Sequence, residues 1–182
     1  MSGDDRPSGR GGIARKIGLP AGALNRAAPF DGAKAAVLVG GRLLVLRRDD
    51  RPGLRWRGML DLPGGGREGR ESPAETLVRE IREETGLDLG RARWRGGRCY
   101  PAAHRARARV WFLRVRVPGG AAARIRMGAE GQGWVLMAPS AFVAAPDAVP
   151  HLRDRVAELG LSGRLAGDGA KKKPPGTSAR AV

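Results

Sequence analysis

The 182-residue sequence contains one cysteine, Cys99. That excludes an internal disulfide framework and any cysteine-based zinc site. Aromatics are sparse, with 3 Phe, 4 Trp and 1 Tyr, so a core must rest on Ala, Val, Leu and Ile. No apolar run approaches bilayer length; stretches such as 35–39 and 110–113 are far too short. The N-terminal stretch 1–16 is polar and Gly-rich and lacks a secretory segment. These absences set the expectation of a soluble, cytoplasmic protein with no membrane partner. Lysine is scarce too, at 5 residues against 29 arginines.

Arginine is what the chain has in excess. The net charge is +16, and a clustered basic surface would release counterions from a nucleic-acid backbone. Arg, Ala and Gly also share GC-rich codons, which explains their abundance without any function and is the favoured source. The charge is unevenly placed. Residues 61–90 carry a net −4, leaving +20 on the rest of the chain. One acidic island in a basic protein reads as a cation site surrounded by surface that attracts anions.

Residues 1–32 and 164–182 lack apolar periodicity and read as tails, the second basic through Lys171–Lys173. A single domain is expected over 33–163, with no internal repeat. Two apolar runs, 35–39 and 42–46, flank Gly40-Gly41, a tight hairpin signal. A loop spans 47–60. Ser72, Pro73 and Glu75 form a capping box, so a helix should start there and run to about Thr85, with Gly86 as its stop. Leu77, Val78 and Ile81 are its expected apolar face. Strands are predicted over 92–100, 107–117 and 134–137, and a second helix over 149–159 with Leu152, Val156 and Leu159 at core spacing. Strands and helices in this order predict a mixed α/β sandwich.

The acidic island is ordered. On a helix Glu80 and Glu84 lie at i and i+4 and share a face, and Glu83 borders it. Stacked like charges repel, and a cation relieves the conflict. Oxygen ligands completed by water and substrate phosphate suit Mg²⁺ or Mn²⁺. The Gly-rich loop before the helix lets backbone approach a metal or phosphate without a Cβ in the way. Arg79 lies at i+4 from both Glu75 and Glu83 and can hold a carboxylate. A solvated acidic helix face is the competing reading. Gly64-x-Gly66-x-x-Gly69 is a literal GxGxxG, but Pro73 and the cap start the helix too late for a dinucleotide fold.

Gly65, Glu71, Arg79, Glu80, Ile81, Glu83, Glu84, Gly86 and Leu87 together fill the pattern Gly-x5-Glu-x7-Arg-Glu-apolar-x-Glu-Glu-x-Gly-apolar. By residue frequencies a chance match is on the order of one in 10⁸–10⁹ per starting position. On these residues the chain resembles the Nudix hydrolases, and most of all their MutT-like branch, over roughly residues 33–160. The resemblance implies an α/β/α sandwich around a mixed sheet. It also implies Mg²⁺- or Mn²⁺-dependent hydrolysis of a diphosphate linked to another moiety. Glu80 and Glu84 are then metal ligands, Glu83 a third ligand or a base, and the Gly64 carbonyl a further donor. Gly65, Glu71 and Arg79 support the loop and helix. Glu130, outside the box, is the matching candidate for an additional ligand or base, with a turn carboxylate as the alternative.

The implied substrate is a small nucleotide, foremost a nucleoside triphosphate, oxidised or not, cleaved to monophosphate and pyrophosphate. The alternatives are ADP-ribose, a dinucleoside polyphosphate or the 5′ end of RNA, and, less favoured, a non-catalytic nucleic-acid-binding module. Trp56 could stack a base or cover the core. Some relatives read a purine with Asn in a Pro-x-Ala motif, where this chain has Asp147, between Pro146 and Ala148. The seven arginines between 91 and 109 read as a solvated strand face or a phosphate-attracting rim. His104 and His151 lack metal spacing, and Cys99 reads as core. The sequence sets no oligomeric state.

Overall fold

The computed structural model describes Asn25, residues 29–103 and residues 105–161. The expected tails, apart from Asn25 and residues 29–32, lie outside the described residues, as does His104. The elements are β1 (Gly32–Val39), β2 (Arg42–Arg47), β3 (Leu60–Asp61), α1 (Pro73–Thr85), β4 (Arg93–Pro101), β5 (Arg109–Val117), β6 (Gly133–Met137), α2 (Pro139–Ala144) and α3 (Pro150–Glu158). A 3-10 segment, Gly119–Arg124, follows β5.

Alternation along β1 organises the molecule. Ala33, Ala35, Val37 and Val39 face a cluster with Leu77 and Ile81 of α1. Ala36 and Leu38 face another with Phe142 of α2 and Leu152 and Val156 of α3. A strand buried on both faces has helices above and below it, which gives the expected α/β/α sandwich. The sheet order is β3-β2-β1-β5-β4, with β6 on β2. It is mixed, because β1 runs parallel to β5 while β1–β2 and β4–β5 are antiparallel. The largest fully buried side chains include only two aromatics, Phe112 and Phe142.

Gly40 and Gly41 have φ of +56° and +89°, so the hairpin turn is the mirror-image type that glycine permits. Beyond that turn, the β1–β2 pairing is confined to Leu38↔Leu43 and Val39↔Arg42. The edge of β1 left open is taken by the glycine loop. Ala35 N donates to Pro63 O and Ala33 N to Gly65 O, both at 2.9 Å, and Arg67 N reaches Asp31 O at 2.9 Å. The loop therefore belongs to the sheet, which excludes a dinucleotide-binding turn there.

Two local expectations are corrected. Val78 is 42% exposed, because α1 buries the i, i+4 row Leu77, Ile81 and Thr85 and position 78 turns away from it. Leu159, half-buried just past the end of α3, packs against the cluster of Leu152 and Val156 as expected. Phe30 is buried under the Arg67 guanidinium and β1 begins at Gly32, so the fold takes in the last residues of the expected N-terminal tail. A bulge between Trp94 and Gly97, with Gly96 at φ +71°, interrupts β4. The seven arginines from Arg91 to Arg109 are all exposed. No described helix is long and apolar enough to cross a membrane.

Candidate active site

The capping box on α1 is complete. Glu75 N donates to Ser72 Oγ at 3.3 Å, and Ser72 N donates to Glu75 Oε2 at 2.9 Å. Pro73 starts the helix, and Gly86, at φ +68°, ends it. The helix ends are thus fixed, and the carboxylates it carries are fixed with them.

Arg79 is the hub of the site. Its Nε and Nη2 reach Glu71 Oε1 and Oε2 at 2.9 and 3.1 Å, and Nη2 also meets Gly66 O at 2.8 Å. Its Nη1 reaches Glu80 Oε1 at 3.0 Å and Glu83 Oε2 at 3.1 Å. The planar fork suits this bidentate work. The bond from Arg79 holds the Glu71 carboxyl below its usual range, and Glu71 in return raises the Arg79 guanidinium. Glu75, the other i+4 partner, closes the cap on Ser72.

In the loop, glycine is required at position 64 and gives room at position 65. A Cβ on Gly64, at φ +119°, would lie 2.2 Å from Ala33 O. A Cβ on Gly65 would lie 2.6 Å from the Glu80 carboxylate. The loop thus leaves to Glu80 the space a side chain would fill. Across the cleft, Gly64 N donates to Glu84 Oε2 at 2.8 Å.

Glu80, Glu83, Glu84, Gly64, Gly65 and Glu130 line one cleft of about 600 Å³, together with Lys34, Arg48, Glu68 and Arg79. Glu130 arrives there because its segment is strapped to the end of α1. Arg126 N donates to Thr85 O and Gly128 N to Glu84 O, both at 2.9 Å. Only glycine fits at 128, where a Cβ would meet Glu83 O at 2.1 Å.

The site lacks the tight carboxylate cluster expected of a preformed metal centre. Among the described residues no three His, Cys, Asp or Glu side chains are gathered closely enough to hold a metal ion. Arg79 draws Glu80 and Glu83 to itself, and Glu84 turns to the Gly64 amide. Even so, only one oxygen of each carboxylate is used. Glu80 Oε2, Glu83 Oε1 and Glu84 Oε1 have no hydrogen-bond partner among the described residues. Burial pushes the Glu84 carboxyl up to about 7; Lys34 and the Gly64 amide pull it down, and Asp61 and Glu80 push it further up. A donor set of oxygens alone, short of positive charge, fits a hard divalent cation.

Sequence reasoning missed two cations of this cleft, Lys34 and Arg48. Lys34 donates to Asp61 Oδ2 at 3.1 Å and to Leu62 O at 2.9 Å. Arg48 reaches the same Asp61 oxygen at 2.6 Å. Asp61 is buried, which alone would raise its carboxyl; Lys34 and Arg48 outweigh that and hold it below its usual value. Lys34 had a signal, a single charge inside the apolar run of β1. Arg48 had none.

The candidate base-reading residues lie elsewhere. Trp56 is half-buried against the cluster around α2 and α3, with its ring centroid 6.1 Å from that of His151. Asp147 pairs with Arg47 Nη2 at 2.9 Å. Neither lines the carboxylate cleft. Cys99 is half-buried, and Arg109 Nε lies 3.4 Å from its Sγ.

Comparison with known proteins agrees with this geometry. A structure of a MutT protein from Methanosarcina mazei Go1 superposes with a TM-score of 0.56 at 20% identity, covering 74% of this chain and 95% of that one. An Ap4A hydrolase from C. elegans gives 0.57 at 14% identity, covering 71% and 95%. The NUDIX domain of Shewanella oneidensis NrtR, solved with ADP ribose, gives 0.53 at 18% identity, covering 74% and 89%. At such identities the likeness is one of fold. No curated protein matches the sequence. The family model described as NUDIX domain matches residues 30–159, which takes in every strand and helix above. The chain therefore belongs to the NUDIX family, as a hydrolase acting on pyrophosphate bonds.

Proposed function

We propose that the protein is a MutT-like pyrophosphohydrolase that cleaves a nucleoside triphosphate to the monophosphate and pyrophosphate. The observation that carries the reading is the cleft that Glu80, Glu83, Glu84 and Glu130 line together with Lys34, Arg48 and Arg79. Carboxylates alone would repel a polyphosphate, and cations alone would bind it without chemistry.

Glu80, Glu83, Glu84 and the Gly64 carbonyl are the donors that would hold Mg²⁺ or Mn²⁺. A cation held there would supply charge neutralisation for the phosphate and a water of lowered pKa. The protein residues do the rest. Lys34 and Arg48 add fixed positive charge on the phosphate side of the cleft. Arg79 holds Glu80 and Glu83 while its fork stays on Glu71. A carboxylate, Glu83 or Glu130, takes the proton from water as its oxygen bonds to phosphorus. The bridging P–O bond breaks, and its electron pair leaves with pyrophosphate if the α-phosphorus is attacked or with the nucleoside monophosphate if the β-phosphorus is. Nucleotide-linked ligands and substrates in the names of the structural neighbours support the substrate class.

The test is release of pyrophosphate against phosphate from canonical and oxidised nucleoside triphosphates, ADP-ribose and diadenosine polyphosphates, with Mg²⁺ and with Mn²⁺. Pyrophosphate from a triphosphate, reduced about 10²–10⁴-fold in Glu84→Gln, is expected. Turnover of ADP-ribose or a dinucleotide alone would replace the substrate. Normal turnover by Glu84→Gln with Mg²⁺ would remove the assignment.

A further inference from the structure

Beside the carboxylate cleft lies a second cavity of about 280 Å³. The two share Lys34, Gly65 and Gly66 as walls, so a ligand with its phosphates in one reaches the other. Gly32, Ala102, Ala103, Ala108 and Val110 give this cavity small apolar walls. Its volume suits one ring system rather than a whole nucleotide.

Arg155 of α3 lines this cavity and is only 5% exposed. It sits on the buried stripe of the helix, between Leu152 and Val156, where the spacing calls for an apolar side chain. Its guanidinium lies over the Tyr100 ring at 4.5 Å and near Phe112 at 5.9 Å. Among the described residues it forms no ion pair, and its hydrogen bonding amounts to one contact, Nη2 to Pro101 O at 3.3 Å. A guanidinium carries five donors. Burial pushes its pKa down and outweighs the pull of the Glu158 carboxylate, which accepts from Tyr100 Oη at 2.6 Å, so the fold bears a cost for keeping a charge there. Buried arginine is normally matched by a carboxylate or a ligand.

We propose that Arg155 is the specificity-determining residue of the substrate pocket and reads the 6-oxo edge of guanine. The inference rests on the nucleoside triphosphate reading above. The planar fork matches the adjacent acceptors O6 and N7, the commonest bidentate contact to that base. Adenine presents a donor, N6–H, in place of O6. An 8-oxoguanine carries hydrogen on N7, which opposes a guanidinium donor. The pocket therefore favours intact guanine over both. Asp31 lines the same cavity; its Oδ2 accepts from Arg109 N at 2.9 Å and its Oδ1 lies 3.9 Å from Arg105 Nη1, a loose pair that leaves carboxylate acceptor capacity for the N1–H and N2–H donors of guanine.

The experiment compares kcat/KM for GTP, ATP and 8-oxo-GTP in the wild type, Arg155→Lys and Arg155→Met. A ratio between substrates is unaffected by the fraction folded, and Lys keeps the charge and the stem while losing the fork. The wild type should prefer GTP by about tenfold or more over each rival, and both variants should bring the ratios close to one. Equal use of the three by the wild type overturns the proposal. So do ratios unchanged in the variants, and so does an equal loss on all three, which would make Arg155 a phosphate contact or a packing group. Binding of GMP and AMP without added metal separates this failure from that of the parent reading. If no triphosphate is hydrolysed, tighter GMP binding lost in Arg155→Lys still supports the pocket. Equal binding of GMP and AMP removes it.

Discussion

The Gly64 amide donates to Glu84 Oε2 at 2.8 Å, so the loop and the helix are fastened to each other across the cleft. The same glycine lies against β1, where nothing larger than hydrogen fits between it and Ala33 O. One residue thus sets the distance from the sheet to the helix.

Gly64→Ala should destabilise the fold by at least about 2 kcal/mol, since it combines φ +119° with a backbone clash. Chemical denaturation checks this. Gly66→Ala is the control: a Cβ there meets nothing within 4 Å. Equal stability of Gly64→Ala and wild type would show that the loop yields easily.

Arg79→Lys keeps the charge and removes the fork. Lysine cannot span Glu71, Glu80, Glu83 and Gly66 O at once. Turnover should fall about 10–100-fold, as when groups that orient metal-holding carboxylates are removed. Titration of the variant with Mn²⁺ should show weaker binding, whereas unchanged metal affinity would leave Arg79 no orienting role.

Asp61→Asn should lose about 3–5 kcal/mol near pH 7, because Lys34 and Arg48 would be left without their buried counter-charge. The folded Asp61 pKa lies below the ordinary value of 3.8. Its contribution is therefore fully present above that value and disappears as pH falls through the lower, folded one. The stability gap between wild type and variant should shrink in acid. A gap that stays constant from pH 7 to pH 3 would contradict the assignment.

The legible parts of this protein were local. Ser72, Pro73, Glu75 and Gly86 fix the ends of α1 by capping chemistry that acts within a few residues, and the structure repeats them residue for residue. Gly40-Gly41 marked its hairpin for the same reason. Contacts between distant segments were not legible. No spacing announces that Arg48 will meet Asp61. The apolar pattern of 139–144 is too short to declare α2, and that helix went unforeseen. Arg155 was open to detection, since a charge on the apolar stripe of a predicted helix is a local inconsistency.

The pairing of residues 63–67 with β1 also governs which changes of length this region accepts. Strand-like bonding repeats every two residues, so a one-residue insertion at 63–67 would invert which carbonyls meet the Ala33 and Ala35 amides. It would also shift Glu71 against Arg79. The exposed turn at 51–53, where Gly53 has open space around it, carries no such phase. A library of single-codon insertions should thus recover active clones at 51–53 and none at 63–67.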